Sequence, residues 1–243
     1  MKMEFRTLKA NEIDCRINQI ASNYCTLLLY KDARVDMNVL DETVGCMNWQ
    51  KSYLRDNANC IVSIYDDEKK QWVSKEDTGT ESFAEQEKGL ASDSFKRACF
   101  NWGIGRELYT APSIFITPRK DIKYRILVDD KQQEVDEFYK NSKSKYETKT
   151  RFWVEIIDYD ENRNIQDLII RDNKNNIRFS QLSKQKEKEL MQIDEKLKKL
   201  IEQKEDKDEK FDREKFYEYY KATSDSQMTY EQKQDAIKLL EVK

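Results

Sequence analysis

Three strand-like segments, 49–55, 59–65 and 72–80, follow one another with only short polar stretches between them, Asp56-Asn57 and Asp66-Asp67-Glu68-Lys69-Lys70. Trp, Tyr, Ile and Val in these segments suit a pleated, half-buried surface. The gaps are turns, far shorter than the crossover that parallel strands need, so the pattern predicts an antiparallel meander. A helix is predicted directly after it, over 85–102. Ala91, Phe95, Ala98 and Trp102 share one face there, and Gly103 supplies a stop. A small sheet and a helix with one apolar face each can satisfy one another. The expected fold class is therefore α+β, an antiparallel β-meander packed on a long helix.

Ahead of the meander, Ile13, Ile17 and Ile20 step by four and three, which predicts a short amphipathic helix. A strand is expected over 24–30. Asp32 can cap a helix whose Ala33, Met37, Leu40 and Val44 share a face, with Gly45 ending it. Beyond the long helix, strands are expected over 114–116 and 124–128, then a hairpin pairing 152–159 with 165–170. The Lys- and Ser-rich stretch 140–149 reads as exposed. Residues 1–180 are thus expected to form one core domain. Past Gln181 the chain changes character, with 15 basic and 16 acidic residues among 63. Leu190, Ile193, Leu197 and Leu200 make a heptad-like seam lasting under two heptads. The expectation is a charged helical tether over 181–210 and a small helical module over 211–243. In that module Phe211, Phe216, Tyr217, Tyr219 and Tyr220 cluster, and Thr229 with Gln232 forms a capping box.

There is no His in the sequence, so imidazole-activated Ser or Cys nucleophiles are excluded, and a zinc site lacks both His and paired thiols. Five cysteines without CxxC spacing, and no apolar leader, point to a reducing cytoplasm. No apolar run reaches the roughly 18 residues of a membrane span, so no membrane partner is expected. The P-loop pattern is missing, and Gly103-Ile104-Gly105 follows a helix instead of opening one, so no nucleotide cofactor is expected. A formal charge of −3 means that any nucleic-acid contact must be a local basic surface. The acidic clusters Asp66-Asp67-Glu68 and Asp158-Tyr159-Asp160-Glu161 leave a metal-dependent phage nuclease as an alternative, against which stands their placement in turns.

On the long helix, Lys96, Arg97 and Phe100 fall opposite the apolar face. Two cations beside an aromatic can engage phosphates and a base together, and the alternative is a solvated helix face. The surrounding residues favour the former. Glu76-Asp77-Thr78-Gly79, Asp93-Ser94-Phe95-Lys96-Arg97-Ala98 and Trp102-Gly103, with Arg34-Val35 and Val44-Gly45-Cys46-Met47-Asn48-Trp49 upstream, occur in an order and spacing that resembles the Rad-fifty-two family of single-strand annealing proteins, especially its phage and prophage members. The resemblance covers roughly residues 24–110.

The resemblance implies a β-β-β-α core assembled into a homo-oligomeric ring or filament, which binds single-stranded DNA and anneals complementary strands without ATP. It implies no enzymatic step and no cofactor. By position it places the DNA-binding pair on Lys96 and Arg97 and a further cation on Lys88. An outer basic contact falls on the Lys69-Lys70 turn. Phe100 replaces a third basic residue with a stacking group. By functional analogy the C-terminal module would recruit a partner, such as the host single-strand-binding protein or a phage exonuclease. A non-annealing replication or recombination adaptor is the other alternative.

Overall fold

Alternating apolar residues and polar turns set most of the elements seen in the computed structural model, which describes residues 3–80, 86–128, 131–207 and 210–241. In chain order these are β1 (Asp14–Ile20), β2 (Cys25–Tyr30), α1 (Ala33–Val44), β3 (Trp49–Leu54), β4 (Asn59–Asp66), β5 (Gln71–Thr78) and α2 (Gln86–Trp102). Then come β6 (Ile114–Ile116), β7 (Lys123–Val128), β8 (Lys131–Asp136), β9 (Tyr139–Lys140), β10 (Tyr146–Glu147), β11 (Phe152–Tyr159), β12 (Ile165–Asp172) and β13 (Ile177–Gln181). The chain closes with α3 (Lys184–Lys207), α4 (Arg213–Tyr219) and α5 (Tyr230–Glu241). The class is α+β with antiparallel pairing, and no helix among the described residues is long and apolar enough to cross a membrane. By contact the chain divides into two units that interleave in sequence. One comprises Met1–Asp14, Leu29–Ala111 and Glu161–Asn164, and the other comprises Cys15–Leu28, Pro112–Asp160 and Ile165–Lys243.

The first unit holds the meander, in the order β3-β4-β5 and antiparallel throughout. Val62 faces Lys51 on one side and Lys75 on the other. With period-two alternation, Cys60, Val62 and Ile64 project to one face. There they are buried with Val39 and Leu40 of α1, Phe95, Ala98 and Cys99 of α2, and Phe5 and Ile104. Asp32 caps α1 by accepting from the Arg34 amide, and Gly45 ends that helix at φ +82°, a left-handed conformation that favours glycine. Between β5 and α2 the fit is close. A Cβ on Gly79 would lie 2.6 Å from the Ser94 amide nitrogen and 2.8 Å from the Leu90 carbonyl oxygen, both backbone atoms. Gly79→Ala should therefore push the strand end off the helix, at an expected cost of about 1–3 kcal/mol. Urea denaturation checks this, and an unchanged midpoint would show that the strand end has room to yield.

In the second unit a six-stranded sheet runs β13-β12-β11-β1-β2-β6, and its two end strands, β13 and β6, approach each other. Arg178 of β13 bridges the approach. Its Nη2 donates to the Thr117 carbonyl at 2.7 Å, Nη1 and Nη2 bind Glu137 at 2.6 and 3.0 Å, and Nη1 also meets Asp172 at 3.1 Å. The expected helix at Ile13–Ile20 is instead strand β1. Counting Cys15 as apolar turns Ile13, Cys15 and Ile17 into a period of two, and the strand alternates in burial over Asp14–Asn18. The expected tether over 181–210 is largely the continuous helix α3, whose Leu197 and Ile201 are fully buried against Phe216, Tyr217, Tyr220, Ala236, Ile237 and Leu240. This C-terminal module joins the sheet through charge. Arg171 of β12 pairs with Glu155 and donates to the carbonyls of Ser226 and Met228, while Glu155 accepts from the Tyr230 amide at 2.7 Å. The capping box is present, with Thr229 and Gln232 exchanging side-chain and backbone bonds at 2.8 and 3.2 Å.

Candidate nucleic-acid interface

With Phe95, Ala98 and Cys99 of α2 turned into the core, Lys96, Arg97 and Phe100 emerge on the side away from it, each half-buried. Geometry distinguishes the three. Arg97 Nε lies 3.3 Å from Asp77, and the pair is part-exposed, at 42 and 28%. The other Asp77 oxygen accepts from Asn101 at 3.2 Å, and Asn101 also donates to the Glu76 carbonyl at 3.0 Å. One turn earlier, Asp93 accepts from the Thr80 amide at 2.9 Å and from its hydroxyl at 3.2 Å. Asp77 on β5 and Asp93 on α2 thus fasten the end of β5, on either side of Gly79, to the helix. Lys96 makes no ion pair with any described residue. Its charge helps draw the Asp32 carboxyl below the usual range, after the larger effect of the Arg34 amide.

The Phe100 ring is engaged within the protein. The Lys31 ammonium sits 4.3 Å from its centroid, and the Tyr109 ring meets it at 5.1 Å and 69°. Lys69 and Lys70 stand on the β4–β5 turn, at the opposite end of β5 from Asp77 and hence from Arg97. They are 65 and 73% exposed and lie 3.4 and 3.7 Å from Asp66 and Asp67. The Lys88 side chain lies outside the described residues.

Four residues around this helix carry no motif in the sequence: buried Lys31, and Lys75, Arg106 and Tyr109. Lys75 donates to the Asn101 carbonyl at 2.7 Å, and Arg106 donates to the carbonyls of Phe100 and Asn101 at 2.6 and 2.8 Å. Both cations therefore sit on the last carbonyls of α2, where the helix carries partial negative charge and lacks internal donors. Burial, with the nearby Arg106 charge, lowers the Lys75 ammonium below its ordinary value. The available signal was a basic residue at an alternating position of β5 and another just after Gly105.

Lys31 is buried and paired with Asp36, itself fully buried. Burial pushes the Asp36 carboxyl up, against the pull of Lys31 and Lys96. Its second oxygen has no hydrogen-bond partner. Burial also raises the nearby thiols, Cys60 to about 11 and Cys99 well above its ordinary value. The arrangement places Lys96 and Arg97 on α2 and the exposed ring of Tyr109 on the turn just after it. No family model matches this sequence, and comparison with characterised proteins and with solved structures finds no match.

Proposed function

We propose that this protein binds single-stranded DNA as a homo-oligomer and anneals complementary strands without nucleotide fuel, in the cytoplasm of a bacterial host. The observation that carries the reading is the β3-β4-β5-α2 unit. Its strand end is locked to the helix at Gly79, Asp77 and Thr80, so that Lys96 and Arg97 are held on the side of α2 away from the core. Cations fixed on a helix track a strand's phosphates and leave its bases open to a complement. Stacking in the new duplex, on the order of 1.4 kcal/mol per step, drives the reaction, and no covalent bond is made or broken. Repetition of the site in an oligomer makes weak contacts act together. The C-terminal module, in this reading, recruits a single-strand-binding protein or an exonuclease.

A strand-annealing assay in EDTA, repeated with Mg²⁺, is the test. Annealing without metal is expected. Cleavage that appears only with Mg²⁺ would replace the reading with a nuclease, and neither activity would leave an adaptor. Within the reading, Lys96 and Arg97 are unequal. Lys96→Ala should change stability by about 0.5 kcal/mol or less. It should lower the salt slope of binding by about 0.7, because one phosphate is no longer neutralised. Arg97→Ala should lower the slope less, because its charge is already shared with Asp77. Salt titrations of both variants check this, and a wild-type slope in the double variant would remove α2 from the DNA site.

A further inference from the structure

Tyr109 is 71% exposed, on the 3-10 turn Arg106–Thr110 that follows α2. Three contacts fix that turn against the helix. Gly105 enters it at φ +76°, and a Cβ there would collide with Lys31 Cε and fall 3.2 Å from Phe100 Cε1. Arg106 binds the last helix carbonyls through Nε and Nη2, while no described residue accepts from its Nη1. Phe100, pinned under the Lys31 ammonium, supports the Tyr109 ring edge to face. Lys96 lies one helical turn before Phe100, on the same face. An exposed ring therefore stands beside cations and is held in place before any ligand arrives, which lowers the ordering cost of binding.

We infer that Tyr109 is the group on which an unpaired base of single-stranded DNA stacks, with Lys96 and Arg106 as the neighbouring phosphate contacts. This rests on the single-strand-binding reading above and moves the stacking role from Phe100, whose ring is spent on Lys31 and Tyr109, to the ring that Phe100 supports. Every base has a π-face, so the contact tolerates any sequence, as annealing requires.

The probes are a thymidylate oligonucleotide and an abasic oligonucleotide of the same length, titrated by fluorescence anisotropy at several salt concentrations. Tyr109→Ala should weaken thymidylate binding about 5- to 100-fold with an unchanged salt slope. Tyr109→Trp should restore it. On the abasic strand, wild type and Tyr109→Ala should bind alike. Wild-type thymidylate affinity in Tyr109→Ala would overturn the inference and leave the binding reading standing. So would an equal loss on the abasic strand, or a fall in assembly mass by light scattering, which would make Tyr109 a contact between copies. Failure of the wild type to bind either strand would overturn both.

Discussion

Arg178→Met is expected to destabilise the second unit by about 3–5 kcal/mol. Arg178, Glu137 and Asp172 are 3, 0 and 0% exposed at their side chains. The guanidinium pairs with both carboxylates, and it also satisfies the Thr117 carbonyl. Glu137 would keep the Arg119 amide and the Thr150 hydroxyl, and Asp172 would keep the amides of Lys174 and Asn176. Those neutral donors do not cancel two buried charges. Arg178→Lys should fall between, since an ammonium restores charge without the two-pronged geometry. Denaturant titration reads the loss. Hydrogen exchange localises it, with β12 and β13 amides expected to lose protection first. An unchanged midpoint would mean that water reaches this cluster.

Lys31→Met should have the second-largest effect, about 3–5 kcal/mol at neutral pH, for a related reason. It strands the Asp36 carboxylate, buried and with one oxygen already unbonded. The charged groups facing Asp36 are Lys31, Lys96 and Asp32, and removing the first leaves burial to dominate. Asp36 has a folded-state pKa above its unfolded value, so folding takes up a proton between the two. Stability from this residue therefore rises as pH falls through the folded value. Carboxyls whose folded values are lowered, such as Asp32 and Glu12, behave the opposite way and lose stability on acidification. In Lys31→Met, mild acid should restore part of the loss. Adding Asp36→Asn should abolish that recovery, and recovery persisting in the double variant would assign the proton elsewhere.

The meander, α1, α2 and the β11–β12 hairpin were legible in the sequence because each rests on local signals: alternation, a cap at Asp32, stops at Gly45 and Gly103. The capping box at Thr229 was readable for the same reason. Charge inside the protein was not. Arg171, Arg178 and Glu137 look like surface residues in a chain that is 37% charged, and only three-dimensional pairing permits their burial. The charged stretch after Gln181 is helical, as its composition suggests, but its packing was not legible. Of the seam Leu190, Ile193, Leu197 and Leu200, Leu197 is buried together with Ile201 under two short helices while Ile193 and Leu200 are only partly buried, and position 180 lies inside β13. At the candidate site, Lys96 and Arg97 could be placed on one helix face, but the Asp77 contact that occupies Arg97 comes from a neighbouring strand. Tyr109 carried no signal, since its exposure depends on the turn that Gly105 permits.

The approach of β13 to β6 also bears on how copies of this protein can meet. An open sheet edge is a template on which a second chain can add a strand, and proteins protect such edges by covering, curling or charging them. The larger sheet curls its end strands toward one another, with Arg178 spanning the gap to Thr117. The meander keeps β3 and β5 as outer strands, with Lys51 on one and Lys75, Glu76 and Asp77 on the other. The outer strands of the meander, β3 and β5, pair with β4 alone among the described strands, so a strand added there would meet edges whose Lys75 and Asp77 are already held against α2.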